Sequence, residues 1–181
     1  MSKRLFLSIP ISDELQNIIT EKEGIIDRSL KWIPTENLHV TLHFFGKTEE
    51  DAIPALIENI SKGIKDFPAF HLYTKEIGTQ SGKFQKMVWV KFTTSPKFAE
   101  LSFKIAESLN TESTRKPLPH INLIRMKDKK YSLNNLASPM ILTNEIVKVQ
   151  QVELWESRLV PGKFPTYNSL HSFRLNGREE K

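Results

Sequence analysis

Two segments of this chain, one in each half, begin with the same pattern. His39–Leu42 reads His-Val-Thr-Leu and His120–Leu123 reads His-Ile-Asn-Leu, and each follows a helix-like stretch and a proline-containing loop. Successive side chains of a strand point to opposite faces. Each segment therefore places a histidine and a hydrogen-bonding side chain on one face and two apolar side chains on the other. The repeat predicts two similar halves, packed face to face, that each present one histidine to a shared groove.

The order of the remaining elements favours an α+β fold. Strand-like runs, the first at Arg4–Ile9, alternate with amphipathic helical runs that open at the capping residues Ser12 and Ser95. Several strand-like runs are joined by short turns, which implies antiparallel pairing. No glycine-rich phosphate loop follows the first strand, so dinucleotide-binding and P-loop folds are excluded. The 181 residues are predicted to form one domain, 1–181, with two pseudo-repeated lobes.

The composition narrows the possible chemistry and location. There are no cysteines, which excludes disulfides, thiolate metal sites and cysteine nucleophiles. The formal net charge of +5 favours an anionic partner such as RNA or a nucleotide, although many basic proteins gain only solubility from such a charge. The apolar start is interrupted by Pro10, Asp13 and Glu14 before it reaches the length of a signal peptide, and no membrane-length apolar run follows. We therefore expect a cytoplasmic protein with no membrane segment.

A pair of histidines presented to one groove suits cleavage of a phosphodiester without a metal or other cofactor. One imidazole can take a proton from an attacking water while the other gives a proton to the leaving oxygen. An ordinary histidine pKa near ~6.5 serves both steps near neutral pH. The phosphoryl oxygens gain charge in the transition state and need hydrogen-bond donors aimed at them. The Thr41 hydroxyl and the Asn122 amide are the donors that the two segments supply.

Each segment alone has a simpler interpretation as a half-exposed strand, and only the pair favours a site. Strict alternation places His43 on the face of His39 and Thr41, with Phe44 on the opposite face. A zinc site of His39 and His43 is disfavoured, because a strand separates the two by about 13 Å. One ion cannot bridge that gap with Zn–N bonds of ~2.0–2.1 Å.

Other rings are assigned structural roles. His71 and His171 stand alone in strand-like runs. The three tryptophans are expected in the core or between the lobes, and base stacking by an aromatic ring near the first segment is an alternative. The tryptophans are Trp32, Trp89 and Trp155, and the stacking candidates are Phe44, Phe45 and Trp32.

Four stretches of the chain resemble successive signatures of one family. They are "RLFLSIP", "KWIPTENLHVTLHFFGK", "PHINLIR" and "VELWESRLVPGKFPTYNSL". In this order they look like the bacterial and archaeal RNA 2′,3′-cyclic phosphodiesterases, historically called 2′-5′ RNA ligases, of the two-histidine phosphoesterase superfamily. The resemblance implies two antiparallel sheets that face a central groove, with helices outside. It also implies an activity that opens an RNA 2′,3′-cyclic phosphate to a 2′-phosphate without a metal.

The resemblance assigns roles to individual residues. His39 becomes the proton donor to the leaving 3′-oxygen, and His120 becomes the base that activates water. Thr41 holds the phosphate. Asn122 stands where the family pattern has Thr or Ser, but its amide can still donate, so we expect activity to survive. Arg125 becomes a phosphate contact, although strict alternation puts it on the face opposite His120, so it reaches the groove only if the strand twists, bulges or ends.

Two alternatives stay open at this point. The Asn122 replacement is compatible with a catalytically weakened module of the same fold that binds RNA or a nucleotide. The same two imidazoles could also serve another activity of the two-histidine phosphoesterases. The candidates are cyclic nucleotide metabolism, processing of tRNA-splicing intermediates, and ATP-independent 2′-5′ ligation, which is the reverse of 2′-5′ phosphodiester cleavage. Arg115 and Lys116, before the second segment, are either a basic approach to an RNA backbone or a solvated loop. No large apolar surface is evident in the sequence, so a monomer is expected.

Overall fold

The computed structural model of the chain describes residues 1–26, 30–81, 86–111, 117–126, 138–142 and 145–176. Within these ranges it has three α-helices and nine strands. The helices are α1 (Asp13–Ile26), α2 (Ile53–Ile64) and α3 (Pro96–Ser108). The strands are β1 (Ser2–Pro10), β2 (His39–Glu49), β3 (Phe70–Ser81), β4 (Lys86–Phe92), β5 (His120–Met126), β6 (Met140–Ile141), β7 (Ile146–Val149), β8 (Gln151–Arg158) and β9 (Thr166–Arg174).

All described strand pairings are antiparallel, and they form one nine-stranded sheet. The order is β6-β3-β4-β5-β2-β1-β8-β9, and β7 pairs with β3. The predicted mixture of helices and antiparallel strands is therefore confirmed. The two predicted sheets are continuous, however, because β2 pairs with β5 at the single position Val40–Ile121. This junction brings the two histidine segments side by side.

The two parts of the sheet do not correspond to the two halves of the chain. β8 and β9 pair beside β1, so the part that holds His39 contains both the first and the last strands. The part that holds His120 is built from the middle of the chain. The repeat seen in the sequence is therefore a local likeness of β2 and β5 within a more interwoven fold.

Helices α1 and α3 begin where the sequence predicts, whereas α2 begins at Ile53, after the acidic residues that the sequence places in its first turn. The Ser12 hydroxyl accepts a hydrogen bond from the Leu15 N–H at 3.3 Å, and the Ser95 hydroxyl accepts one from Phe98 at 3.2 Å. Such side chains satisfy N–H groups that have no partner inside the helix. All three helices add buried apolar residues to the same core as the strands, which leaves the opposite face of the sheet for the site. Within the described ranges, no helix is long and apolar enough to cross a membrane.

Three details differ from the sequence-based expectations. The long strand-like run after residue 144 is divided into β7 and β8. The pattern of "HSFRLN" predicts a last strand at those residues, but β9 starts earlier, at Thr166, and so includes Tyr167. β6 was not predicted, since two residues are too few to show a pattern. Several segments for which the sequence makes a prediction lie outside the described residues. They are the basic loop with Arg115 and Lys116, a charged turn or loop at "KDKKYS", a turn at Gly82 and a frayed end at "GREEK".

Candidate active site

The two histidines at the starts of β2 and β5 are held in the same way. His39 Nδ1 lies 2.7 Å from the Asn37 carbonyl, and His120 Nδ1 lies 2.9 Å from the Leu118 carbonyl. A carbonyl oxygen can only accept, so Nδ1 of each ring is the nitrogen that donates a proton. The Nε2 atom of each neutral ring is then an acceptor. Both imidazoles therefore present the nitrogen that can take up a proton.

The junction between β2 and β5 places four polar side chains on one face. With Val40 paired to Ile121, the antiparallel register puts His39 across from Asn122 and Thr41 across from His120. Val40 and Ile121 are themselves fully buried on the core face. A cavity of about 140 Å³ includes both His39 and Asn122 in its lining, which agrees with this register.

His39 lies in a pocket of rings and hydrogen-bonds to Thr41. Its Nε2 is 3.0 Å from the Thr41 hydroxyl, which can donate to the neutral ring. Burial is the main reason that the pKa of His39 falls to about 4, and the hydrogen bond to Asn37 opposes that shift only in part. The positive charge of Arg125 lowers the pKa further. The rings around His39 are Phe6 at 5.1 Å, Trp155 at 5.2 Å and Tyr167 at 5.4 Å between centroids.

His120 is stacked on a tryptophan. The ring centroids of His120 and Trp89 are 3.8 Å apart, and their planes differ by 23°. Burial lowers the pKa of His120, the hydrogen bond to Leu118 opposes this shift, and Arg125 adds to it. Both histidines are thus biased toward the neutral form while the site holds no anion.

A bulge in β5 brings Arg125 into the groove. Val88 pairs with Ile124 and Trp89 pairs with Asn122, so Leu123 has no partner of its own on β4. Leu123 and Ile124 are both buried, and the alternation of faces shifts by one residue after them. Arg125 consequently lies on the same face as His120 and lines the cavity with His39. Strict alternation was wrong at this position, and the bulge is the physical reason.

A second bulge changes the predicted faces of β2. Ser8 pairs with Thr41 and Leu7 pairs with His43, so Leu42 is the extra residue. Since Leu7 is fully buried in the core, its partner His43 lies on the core face and not beside Thr41. The prediction for His43 was wrong for this reason. It was wrong for Phe44 too, because the same shift turns Phe44 into the groove.

Two adjoining cavities mark the groove around His39. The first, of about 140 Å³, lies toward Asn122 and the second, of about 200 Å³, lies toward Phe44; both include Arg125 and Tyr167. Arg4 on β1 lines the second cavity, so two guanidinium groups border this groove. Their charges suit a phosphate.

A larger cleft opens on the other side of the site, beside His120. Its volume is about 310 Å³ and its lining is largely apolar. It lies between β4, the start of α3 and the loop before β5. Its lining includes Phe92, Pro96, Ala99, Leu118 and His120.

Several residues of the site carry no signal in the sequence. Trp89 and Trp155 were assigned to the core or the lobe contact, yet each contacts one of the two histidine rings. Tyr167, Arg4 and Asn37 were not among the site residues that the sequence predicts. Strand pairing brings Arg4 and the aromatic residues to the site, whereas Asn37 lies two residues before His39 in the chain. Trp32 and Phe45 pack against the core, so of the three stacking candidates Phe44 is the one that lines the groove.

Asn37 connects the loop before β2 to the loop before β9. Its carbonyl accepts from His39, and its buried amide donates to the Pro165 carbonyl at 2.7 Å. One residue therefore fixes both the first histidine and the segment that leads to Tyr167. Among the described residues, no group of three or more His, Cys, Asp or Glu side chains is placed to hold a metal ion.

Comparisons with known proteins agree with this fold. The family model described as LigT like Phosphoesterase matches residues 6–90. A protein of Thermotoga maritima named RNA 2′,3′-cyclic phosphodiesterase is 24% identical, over 96% of this chain and 96% of its own length. One of the same name from Methanothermobacter thermautotrophicus is 22% identical, over 97% of this chain and 100% of its own.

The solved structures share the fold of the whole chain. Escherichia coli LigT complexed with 3′-AMP has a TM-score of 0.81 at 21% identity, covering 97% of this chain and 99% of that chain. TT0787 of Thermus thermophilus has a TM-score of 0.78 at 22% identity, covering 96% and 98%. The fold is that of these solved structures. The chain is therefore similar to LigT-like phosphoesterases, through the family model over residues 6–90 and through the fold of almost its full length.

The contact between Asn37 and Pro165 predicts a loss of stability in Asn37→Asp. A carboxylate cannot donate to the carbonyl and would be buried against its oxygen, so the free energy of unfolding should fall by about 1–3 kcal/mol. Urea unfolding measures this change. Asn59→Asp, on the exposed face of α2, is the matched control and should change stability by less than about 0.5 kcal/mol. Equal effects of the two substitutions would contradict the bridging role of Asn37.

Proposed function

We propose that this protein hydrolyses RNA 2′,3′-cyclic phosphate ends to 2′-phosphates. The observation that carries the proposal is the pair of imidazoles on one sheet face, each with Nδ1 bound to a carbonyl, which leaves Nε2 of each neutral ring as the proton acceptor. Arg125 in the same groove supplies charge for an anionic substrate. The curated relatives named RNA 2′,3′-cyclic phosphodiesterase support this choice of substrate.

The proposed reaction starts with His39 protonated and His120 neutral. His120 Nε2 takes a proton from water as the water oxygen attacks phosphorus. The P–O3′ bond breaks, and protonated His39 gives its Nε2 proton to the leaving 3′-oxygen. The Thr41 hydroxyl, the Asn122 amide and the Arg125 guanidinium donate to the phosphoryl oxygens as these gain charge. A proton then passes from His120 through solvent to His39, which restores the starting protonation state of both rings.

The hydrolysis proposal is tested with nucleoside 2′,3′-cyclic phosphates and a cyclic-phosphate oligonucleotide, in excess chelator. Phosphorus NMR should identify the 2′-phosphate as the product. His39→Ala and His120→Ala should each lower kcat by about 10²–10⁴-fold, since each removes a proton-transfer group. His43→Ala is the matched control, because His43 lies on the opposite face of the same strand.

Two outcomes would contradict the proposal. Absence of turnover on both substrates would reject it, and binding without product would favour the module that only holds RNA or a nucleotide. Full activity in either folded histidine variant would remove the role assigned to that histidine. We also propose that the protein acts as a monomer in the cytoplasm. Light scattering of the active protein measures its mass, and a mass of two or more chains would contradict the monomer.

The lowered pKa of His39 predicts a descending pH profile. Its pKa of about 4 leaves His39 mostly neutral above that pH, and only the protonated fraction can serve as the acid. That fraction falls as pH rises, so kcat/KM should fall by about tenfold per pH unit between roughly pH 6 and 8. Initial rates at low substrate concentration measure this. A kcat/KM that is flat or rises over this range would contradict His39 as the acid.

The cleft beside His120 favours 2′-5′ ligation as a second candidate function. An in-line displacement places the attacking oxygen on the side of the base, opposite the leaving group. Water needs no apolar cleft, whereas a nucleoside that carries a 5′-hydroxyl would contact one. With His120 taking the 5′-hydroxyl proton and His39 protonating the 3′-oxygen, the product would be a 2′-5′ diester.

Filling that cleft should separate ligation from hydrolysis. Ala99→Phe places a ring in the space that the second nucleoside would occupy, so ligation and 2′-5′ dinucleotide cleavage should fall by at least about tenfold. Hydrolysis of the mononucleotide should change by less than about threefold. Ala55→Phe, on the exposed face of α2, is the control. Equal loss of both activities in Ala99→Phe would contradict a nucleoside site in the cleft.

A further inference from the structure

Trp89 contacts both polar residues of the second histidine segment. Its indole N–H donates to Asn122 Oδ1 at 2.7 Å, and its ring is stacked on His120 at 3.8 Å. The pairing of Trp89 with Asn122 in neighbouring strands holds the indole in this place. One side chain on β4 therefore contacts both His120 and Asn122.

The hydrogen bond decides which end of the Asn122 amide faces the phosphate site. An indole nitrogen can only donate, so the amide oxygen must be the atom that faces Trp89. The NH2 group is then left for the other direction, toward the cavity shared with His39 and Arg125. Without the indole N–H, the amide could turn over and present an oxygen to the phosphate, which would repel it.

The stack sets the plane of the second imidazole. The bond from His120 Nδ1 to the Leu118 carbonyl fixes the rotation of the ring within its plane. The Trp89 ring, at 23° to the imidazole, limits its tilt. Together the two contacts define the direction of Nε2, which is the atom that meets the substrate.

We propose that Trp89 is a positioning residue that adapts this site to an asparagine at position 122, where it orients the amide as a phosphate donor and holds the plane of His120. This inference rests on the proposed function for its catalytic consequence, but its structural content does not. A threonine at 122 would need no such partner, because a hydroxyl rotates to donate. In the first segment, Ser8 is the residue paired with Thr41, and no large donor side chain stands there.

The test is a double-mutant cycle with inorganic phosphate and a cyclic phosphate as probes. Trp89→Phe keeps an aromatic ring for stacking and removes the indole N–H together with part of the ring area, and the loss of area is common to both backgrounds of the cycle. In the natural background it should weaken phosphate affinity and lower kcat/KM by about tenfold. In the Asn122→Thr background the same change should cost less than about twofold. Trp32→Phe, away from the groove, is the control for loss of an indole.

The outcomes separate this proposal from the proposed function. Equal losses from Trp89→Phe in both backgrounds would overturn the orienting role of the indole. Phosphate binding that follows the expected cycle without turnover would reject hydrolysis and keep the positioning role. If Trp89→Phe does not fold, hydrogen exchange of the Trp89 indole N–H in the unaltered protein tests the hydrogen bond to Asn122 instead. Slow exchange that becomes fast in Asn122→Thr supports the bond, and fast exchange in the unaltered protein overturns it.

Discussion

The site depends on one short contact between two strands, the pairing of β2 with β5 at Val40 and Ile121. Without it, the two parts of the sheet would each carry a histidine with no defined relation to the other. Because both residues of the pair are fully buried, the junction is fixed by the apolar core and not by the polar groups of the groove. The relative placement of His39 and His120 is thus set by hydrophobic packing behind the groove.

The sequence predicted the local structure well, for a clear physical reason. Strand alternation and helix capping are short-range properties, so the faces of His39, Thr41, His120 and Asn122 follow from the residues beside them. Alternation then failed at Leu42 and at Leu123, where bulges shift the faces. A bulge depends on the register with a neighbouring strand, which one strand does not encode by itself.

The surroundings of the histidines were harder to predict because they come from distant parts of the chain. Trp155 and Tyr167 reach His39 through strands that follow it by more than half of the sequence. The sequence pattern of a strand does not distinguish a tryptophan that lines a site from one that packs in the core. What distinguishes Trp89 is its partner across the strands, and the hydrogen bond to Asn122 appears only once the two are paired. The sequence therefore points to the two histidine segments, and the fold shows which side chains orient them.

The placement of β8 and β9 beside β1 has a consequence for how the protein is made. Synthesis proceeds from the first strand to the last, so β1 and β2 leave the ribosome long before the strands that complete their part of the sheet. The pocket around His39 lacks Trp155 and Tyr167 until then. A nascent chain that has been made as far as β7 thus carries both histidines but not the enclosed site, and the environment that tunes His39 forms only once β8 and β9 have been synthesised.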